Sequence, residues 1–306
     1  MSNTKTLISV VGPTAIGKTS LAIKLANHFD TEIISADSRQ FFKEMSIGTA
    51  APTLDELNQA KHHFIHNKSV FESYNVGTFE KEALKMLEYL FKHNDTVIMV
   101  GGSGLYVNAL TKGLDDFPEV DSSIRETLNL QLINNGLETL QLQLKKLDIK
   151  SFETIEIANP KRVIRALEIC IGSGKPYSSF LQKNKSSRNF KVITLGITAD
   201  RDIIYDRINR RVDIMMGLGL LNEVKQLESY KMLNSLNTVG YKELFKYLDK
   251  EWTLDFAVSE IKKNSRRFAK RQLTWFKRNT ETIWVDYKED FKLVLDKIKS
   301  YETANK

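Results

Sequence analysis

Short apolar runs alternate along this chain with stretches whose apolar residues recur every three to four positions. The runs at 7–11, 32–35, 97–100, 192–197 and 282–285 read as strands, and helical spacing fills 19–29, 78–93 and 103–110 between them. This alternation predicts an α/β fold, a mostly parallel sheet flanked by helices. Thr53-Leu54-Asp55-Glu56 reads as a capping box opening a short helix. From about 116 to 188 the strand signal disappears. Helical patterns occupy 123–134, 137–147 and 160–171, with Asn159-Pro160 as start signal and Gly172 as stop; the polar stretch 183–188 reads as a loop. Because a strand returns at 192, residues 116–188 form a helical insertion domain in a core made of 1–115 and 189–306. The chain is again mainly helical from 201 and ends its pattern in a long helix at 254–278.

Composition narrows the class. The 306 residues are 42% hydrophobic and 27% charged, as in ordinary soluble domains. Cys170 stands alone, which excludes internal disulfides and any zinc site of paired cysteines, and fits a reducing cytosol. No apolar stretch approaches a membrane span, and residues 1–5 lead straight into the first strand, so a cytoplasmic protein without a secretory leader is expected. The net charge of +7 is uneven. Lys262, Lys263, Arg266, Arg267, Lys270, Arg271, Lys277 and Arg278 carry eight cations with no acid among them, leaving the rest of the chain near neutral. Residues of one sign at four-residue spacing form one cationic face, interleaved with Phe268, Trp275 and Phe276, and suggest a polyanionic partner with unpaired bases.

The chemistry begins at Gly12-Pro13-Thr14-Ala15-Ile16-Gly17-Lys18-Thr19, which fits G-x-x-x-x-G-K-[ST] and lies between a predicted strand and a predicted helix. That context makes it a phosphate-cradling, P-loop NTPase-like element: backbone N–H groups and a helix N-terminus converge, Lys18 adds charge, and Thr19 can hold Mg²⁺. The strand at 97–100 leads to Gly101-Gly102-Ser103-Gly104, with no carboxylate. The acid at a strand end is Asp37, placed to face the loop across the sheet and to accept a proton from an attacking hydroxyl or amine. Arg207, Arg210 and Arg211 cluster on a helix, where one of them would help neutralise a diphosphate. His62, His63 and His66 lack completing metal ligands, and Gly172-Ser173-Gly174-Lys175 is a helix-ending turn. These parts alone leave two readings open: a small-molecule kinase, or a transferase driven by a departing diphosphate.

The ordered set resembles the bacterial tRNA isopentenyltransferase (tRNA dimethylallyltransferase) family from Gly12 to about Trp284. The resemblance rests on 12–19, Asp37-Ser38-Arg39-Gln40, Ile47–Ala50, Gly101–Tyr106, Asn159–Glu168, Val239–Glu243 and Ala269–Trp275. It implies transfer of a dimethylallyl group from dimethylallyl diphosphate to N6 of the adenosine 3′ of the anticodon, in tRNAs reading codons that begin with U. The same resemblance makes Asp37, Ser103 and Arg211 the catalytic residues, with Asp37 the base, and gives Mg²⁺ as cofactor at Thr19. For the tRNA anticodon stem-loop it implies contacts from Asp37, Ser38, Arg39, Gln40, Ser103, Arg125, Lys161, Arg162, Val163, Ile164 and Arg165. Further along the chain it adds Gly240, Tyr241, Lys242, Lys270, Arg271, Gln272, Thr274, Trp275 and Arg278. It implies a monomer with no stable protein partner. Ser103 stands where the family often has threonine, and Ala51 where it commonly has lysine. An adenylate isopentenyltransferase and a small-molecule kinase are the rival readings. The insertion and the cationic helix speak against the first, since a mononucleotide needs neither; the choice of donor, dimethylallyl diphosphate or ATP, separates the second.

Overall fold

A computed structural model of the chain describes residues 5–181 and 188–304. Most of the expected loop at 183–188, and the residues before Lys5, lie outside the described residues. The chain divides into two units, one of 1–111 and 188–306 and one of 112–187.

The larger unit holds six strands: β1 (Thr6–Val11), β2 (Ile33–Ser35), β3 (His62–His63), β4 (Thr96–Val100), β5 (Lys191–Thr198) and β6 (Ile283–Asp286). All pair in parallel, in the order β3-β2-β4-β1-β5-β6. The two-residue β3 carries no apolar run and was not expected as a strand. Along β1, Ile8 and Val10 pack into one apolar cluster while Leu7 and Val11 pack into another, so both faces of the sheet are covered. That double burial is why these strands read as continuous apolar runs rather than alternating ones.

The helices of this unit are α1 (Lys18–His28), α2 (Leu54–Gln59), α3 (Val76–Leu90) and α4 (Gly104–Lys112), whose last residue opens the smaller unit. The smaller unit carries α5 (Ser122–Leu147), α6 (Ile149–Thr154) and α7 (Pro160–Ser173). The chain then returns to the larger unit with α8 (Arg201–Gly217), α9 (Leu220–Gln226), α10 (Tyr241–Leu248), α11 (Leu254–Phe276) and α12 (Phe291–Ala304). The capping box at Thr53 forms, its hydroxyl accepting from Glu56 N and Glu56 accepting from Thr53 N. A third apolar cluster, including Val212, Met215, Leu220, Leu244, Tyr241 and Ile261, joins α8 to α11.

In the smaller unit, α5 breaks at Gly136 (φ 77, ψ 173), between the two predicted helices. Its core is Leu128, Leu140, Leu144, Val163, Ile164, Leu167 and Cys170. Gly172 does not stop α7. The helix runs on to Ser173 and ends at Gly174, whose φ of 69 favours glycine. Gly172 is instead a packing position: a Cβ there would lie 2.4 Å from Val120 Cγ1.

Candidate active site

The strand order puts β1, β4 and β2 side by side, so the residues following each strand crowd along one edge of the sheet. After β1 comes the phosphate loop. Its turn needs left-handed backbone at Gly17 (φ 108) and Ala15 (φ 65). Gly12 is required for a second reason, since a Cβ there would sit 2.7 Å from Ile197 O on β5.

The loop is braced from two helices distant in sequence. On α8, Arg211 donates to Thr14 Oγ1 and Arg207 Nε donates to Ala15 O at 2.8 Å. On α11, Gln272 Oε1 accepts from Thr14 N at 2.8 Å. Lys18 Nζ donates to Pro13 O at 2.8 Å. Burial and the neighbouring Arg211 charge together push the Lys18 ammonium down to about 8, although Asp37 opposes them. Burial likewise lowers Arg211 to about 10, again against the pull of Asp37. Two buried cations lowered by their burial, with the single carboxylate of Asp37 near both, describe a cradle that gains from an anion.

After β2 comes Asp37. Its Oδ1 accepts from Arg39 N at 3.0 Å, while Oδ2 accepts no hydrogen bond among the described residues. Ser103, after β4, accepts from Ser38 N at 3.0 Å and donates to Ser38 Oγ at 3.1 Å, which ties the third loop to the second. Arg39 is half-buried, and that burial lowers its pKa against the pull of Tyr106 and Asp37. Gln40, one of the expected tRNA contacts, is bonded within the protein. Its amide donates to Thr49 O and Ala50 O and accepts from Ser35 Oγ, holding the turn at 47–51.

Several of these groups line one cavity of about 250 Å³. Thr14, Asp37, Arg39, Ser103 and Arg211 supply its polar lining, while Val212, Met215, Leu220, Ile261 and Phe268 supply an apolar one. The wall at Gly48 depends on residues that no sequence pattern singled out. Glu223 on α9 accepts from Ile47 N (2.7 Å), Gly48 N (2.9 Å) and Tyr241 Oη (2.6 Å).

The expected RNA contacts divide. Lys242, Lys270, Arg271, Thr274 and Arg278 are exposed in the larger unit. Tyr241 and Gln272 are buried, so both assignments to RNA are corrected; Gly240 lies in the cavity wall. Trp275 is partly buried, its ring against Gly104, with Arg278 over one face at 5.9 Å. The cationic face of α11 is also less naked than its sequence. Asp213 on α8 pairs with Lys262 at 2.6 Å, Glu260 pairs with Lys263, and Arg266 donates to Asn209. In the smaller unit Lys161 and Arg162 are exposed, but Val163 and Ile164 are core residues, a further correction. Arg125 and Arg165 both bind the buried Glu168, at 2.6 and 3.2 Å, and hold its carboxyl below the usual range despite its burial. The histidines gain an acid that the sequence did not predict, Glu32 at 2.5 Å from His63. No cluster of three potential metal ligands forms among the described residues.

The sequence pattern of the family described as "IPP transferase" matches residues 40–279. The chain is 59% identical over 292 residues to a tRNA dimethylallyltransferase of Flavobacterium johnsoniae, covering 94% of each, and 58% identical to that of Christiangramia forsetii, covering 96% and 97%. Among solved structures, a tRNA isopentenylpyrophosphate transferase of Bacillus halodurans matches at TM-score 0.71 and 37% identity over 98% and 96% of the two chains. A eukaryotic dimethylallyltransferase described as acting on tRNA matches at TM-score 0.78 and 26% identity, over 92% of this chain and 74% of that one.

Proposed function

The chain belongs to the IPP transferase family, and we propose that its cavity is where a dimethylallyl group leaves dimethylallyl diphosphate for N6 of an adenosine in tRNA. Its activity is that of a tRNA dimethylallyltransferase, acting on the adenosine just 3′ of the anticodon in tRNAs that read codons beginning with U. One observation carries the reading: a single cavity that offers Arg39, Arg211 and Thr14 of the phosphate loop on one side, the carboxylate of Asp37 beside them, and apolar side chains on α8, α9 and α11. A short hydrocarbon joined to a diphosphate matches that division.

In the reaction, the N6–C1 bond forms as the C1–O bond to diphosphate breaks, and the displaced amine proton passes to Asp37. Lys18 and Arg211 stabilise the diphosphate as its negative charge grows. Adenine N6 is a weak nucleophile, so holding it in line with C1 contributes as much as removing its proton. The base must leave its stack to reach the cavity. Ser103, bonded to both backbone and side chain of Ser38, fixes the segment that carries Asp37.

The Thr19 hydroxyl, in the first turn of α1, makes no hydrogen bond among the described residues. That lone oxygen fits Mg²⁺, which is usually held by one or two protein groups together with substrate phosphates and water. Bound by Thr19 and the diphosphate, Mg²⁺ would neutralise charge on the leaving group. On this reading the protein works as a cytoplasmic monomer.

The test is to incubate the purified protein with unmodified tRNA and either dimethylallyl diphosphate or ATP, then analyse the nucleosides by mass. N6-dimethylallyladenosine is expected with the first donor. Phosphate transfer from ATP without prenylation would overturn the reading.

A further inference from the structure

Near the end of α11, Gln272 is only 5% exposed although its helix neighbours Lys270 and Arg271 are exposed. Its side-chain amide joins two loops. Oε1 accepts from Thr14 N at 2.8 Å, in the phosphate loop after β1, and Nε2 donates to Gly102 O at 2.8 Å, in the loop after β4. Gly102 is bare to admit it, because a Cβ there would lie 2.3 Å from Nε2. That same point is 3.7 Å from Lys18 Nζ. Trp275, three residues on, fills the adjoining space against Gly104. One turn before Gln272, Phe268 lines the cavity, while Arg271 and Lys270 point outward. The two faces of one helix therefore do different work.

We propose that Gln272 is a positioning residue for transfer, not an RNA contact. It keeps the loop bearing Lys18 and Thr14 in register with the loop bearing Ser103, and so with Asp37. The inference rests on the transferase reading above. The requirement is for an amide, since one planar group must offer a donor to Gly102 O and an acceptor to Thr14 N. Leucine supplies neither. An ionised glutamate keeps the acceptor and turns a second oxygen toward a carbonyl; protonated, it regains the donor.

The test compares Gln272→Leu, Gln272→Glu and Arg271→Ala with the wild type, measuring kcat, KM for both substrates and tRNA affinity by direct titration. Because small misplacements in a reactive geometry are costly, kcat of Gln272→Leu should fall roughly ten- to a hundredfold while tRNA affinity stays within about twofold. Arg271→Ala should weaken tRNA binding several-fold and leave the pH profile of kcat as in the wild type. The kcat of Gln272→Glu, relative to wild type, should recover as the pH is lowered. That response separates positioning from simple loss of structure, and the glutamate variant carries the test should the leucine variant not fold. The inference is overturned if Gln272→Leu weakens tRNA binding as much as Arg271→Ala with kcat unchanged, or if the glutamate variant shows the wild-type pH profile. A wild-type protein that prenylates nothing would instead sink the transferase reading itself.

Discussion

Lys18 should take up a proton when the cradle fills. Alone in the site its ammonium is lowered to about 8 by burial and by the nearby Arg211 charge. A diphosphate placed against it adds negative charge to that of Asp37 and returns the group toward its ordinary value of 10.5. With an empty-site value near 8, binding at pH 8 captures about half a proton from buffer, about a tenth at pH 7 and about nine-tenths at pH 9. Well above pH 8 the affinity should fall about tenfold per pH unit, since each unit adds about 1.4 kcal/mol. The assay is calorimetric titration with inorganic diphosphate in buffers of different ionisation heat. Lys18→Arg, which stays charged throughout, serves as the reference that subtracts the ligand's own titration. The linkage has the opposite sign for folding: the unliganded protein carries the penalty of a buried ammonium below pH 8 and gains stability as the pH rises from about 8 toward 10.5. Proton uptake identical in wild type and Lys18→Arg between pH 7 and 9 would refute this account of the cradle.

Four further outcomes follow from the same geometry. Asp37→Ala should slow transfer roughly 10²- to 10⁴-fold with tRNA affinity unchanged; a loss smaller than tenfold removes it as the base. Arg271→Ala should reduce the slope of log affinity against log salt by about 0.7 to 0.9 per lost phosphate contact, and an unchanged slope would move the RNA grip elsewhere. Met215, 9% exposed, lines the apolar side of the cavity, so Met215→Ala should shift the preference between geranyl and dimethylallyl diphosphate toward the longer chain by about tenfold or more in competition assays. Glu168→Gln should cost about 2 kcal/mol near neutral pH, read from the urea midpoint. Because the folded-state pKa of Glu168 is depressed, its contribution is present above the ordinary carboxylate value and is lost as the pH falls, so the gap between variant and wild type should close in acid.

The sheet was legible because its central strands are buried on both faces, which leaves an apolar signature at 7–11, broken only by Ser9, and at 97–100. The phosphate loop was legible because its chemistry and its backbone demand the same residues in one contiguous stretch. What escaped depends on partners far away in sequence. Glu223 reaches Gly48 across 175 positions, and Gln272 reaches Thr14 across 258. No local periodicity encodes which side of a helix meets a distant loop. The same limit explains Val163 and Ile164: neighbours of exposed Lys161 and Arg162 on one helix, they turn inward because 3.6 residues per turn carry them there. Gly172 misled for a related reason, since close packing and a helix stop both call for glycine and only the fold separates them.

The bracing of the phosphate loop from α8 and α11 bears on what happens after the bond is made. Its amide, carbonyl and hydroxyl groups at Thr14 and Ala15 are held by Gln272, Arg207 and Arg211, side chains of helices far along the chain. Under the proposed function, a nest so braced would meet inorganic diphosphate with the same groups as the intact donor. On that reading, inorganic diphosphate should therefore inhibit transfer by competing with the donor for this nest.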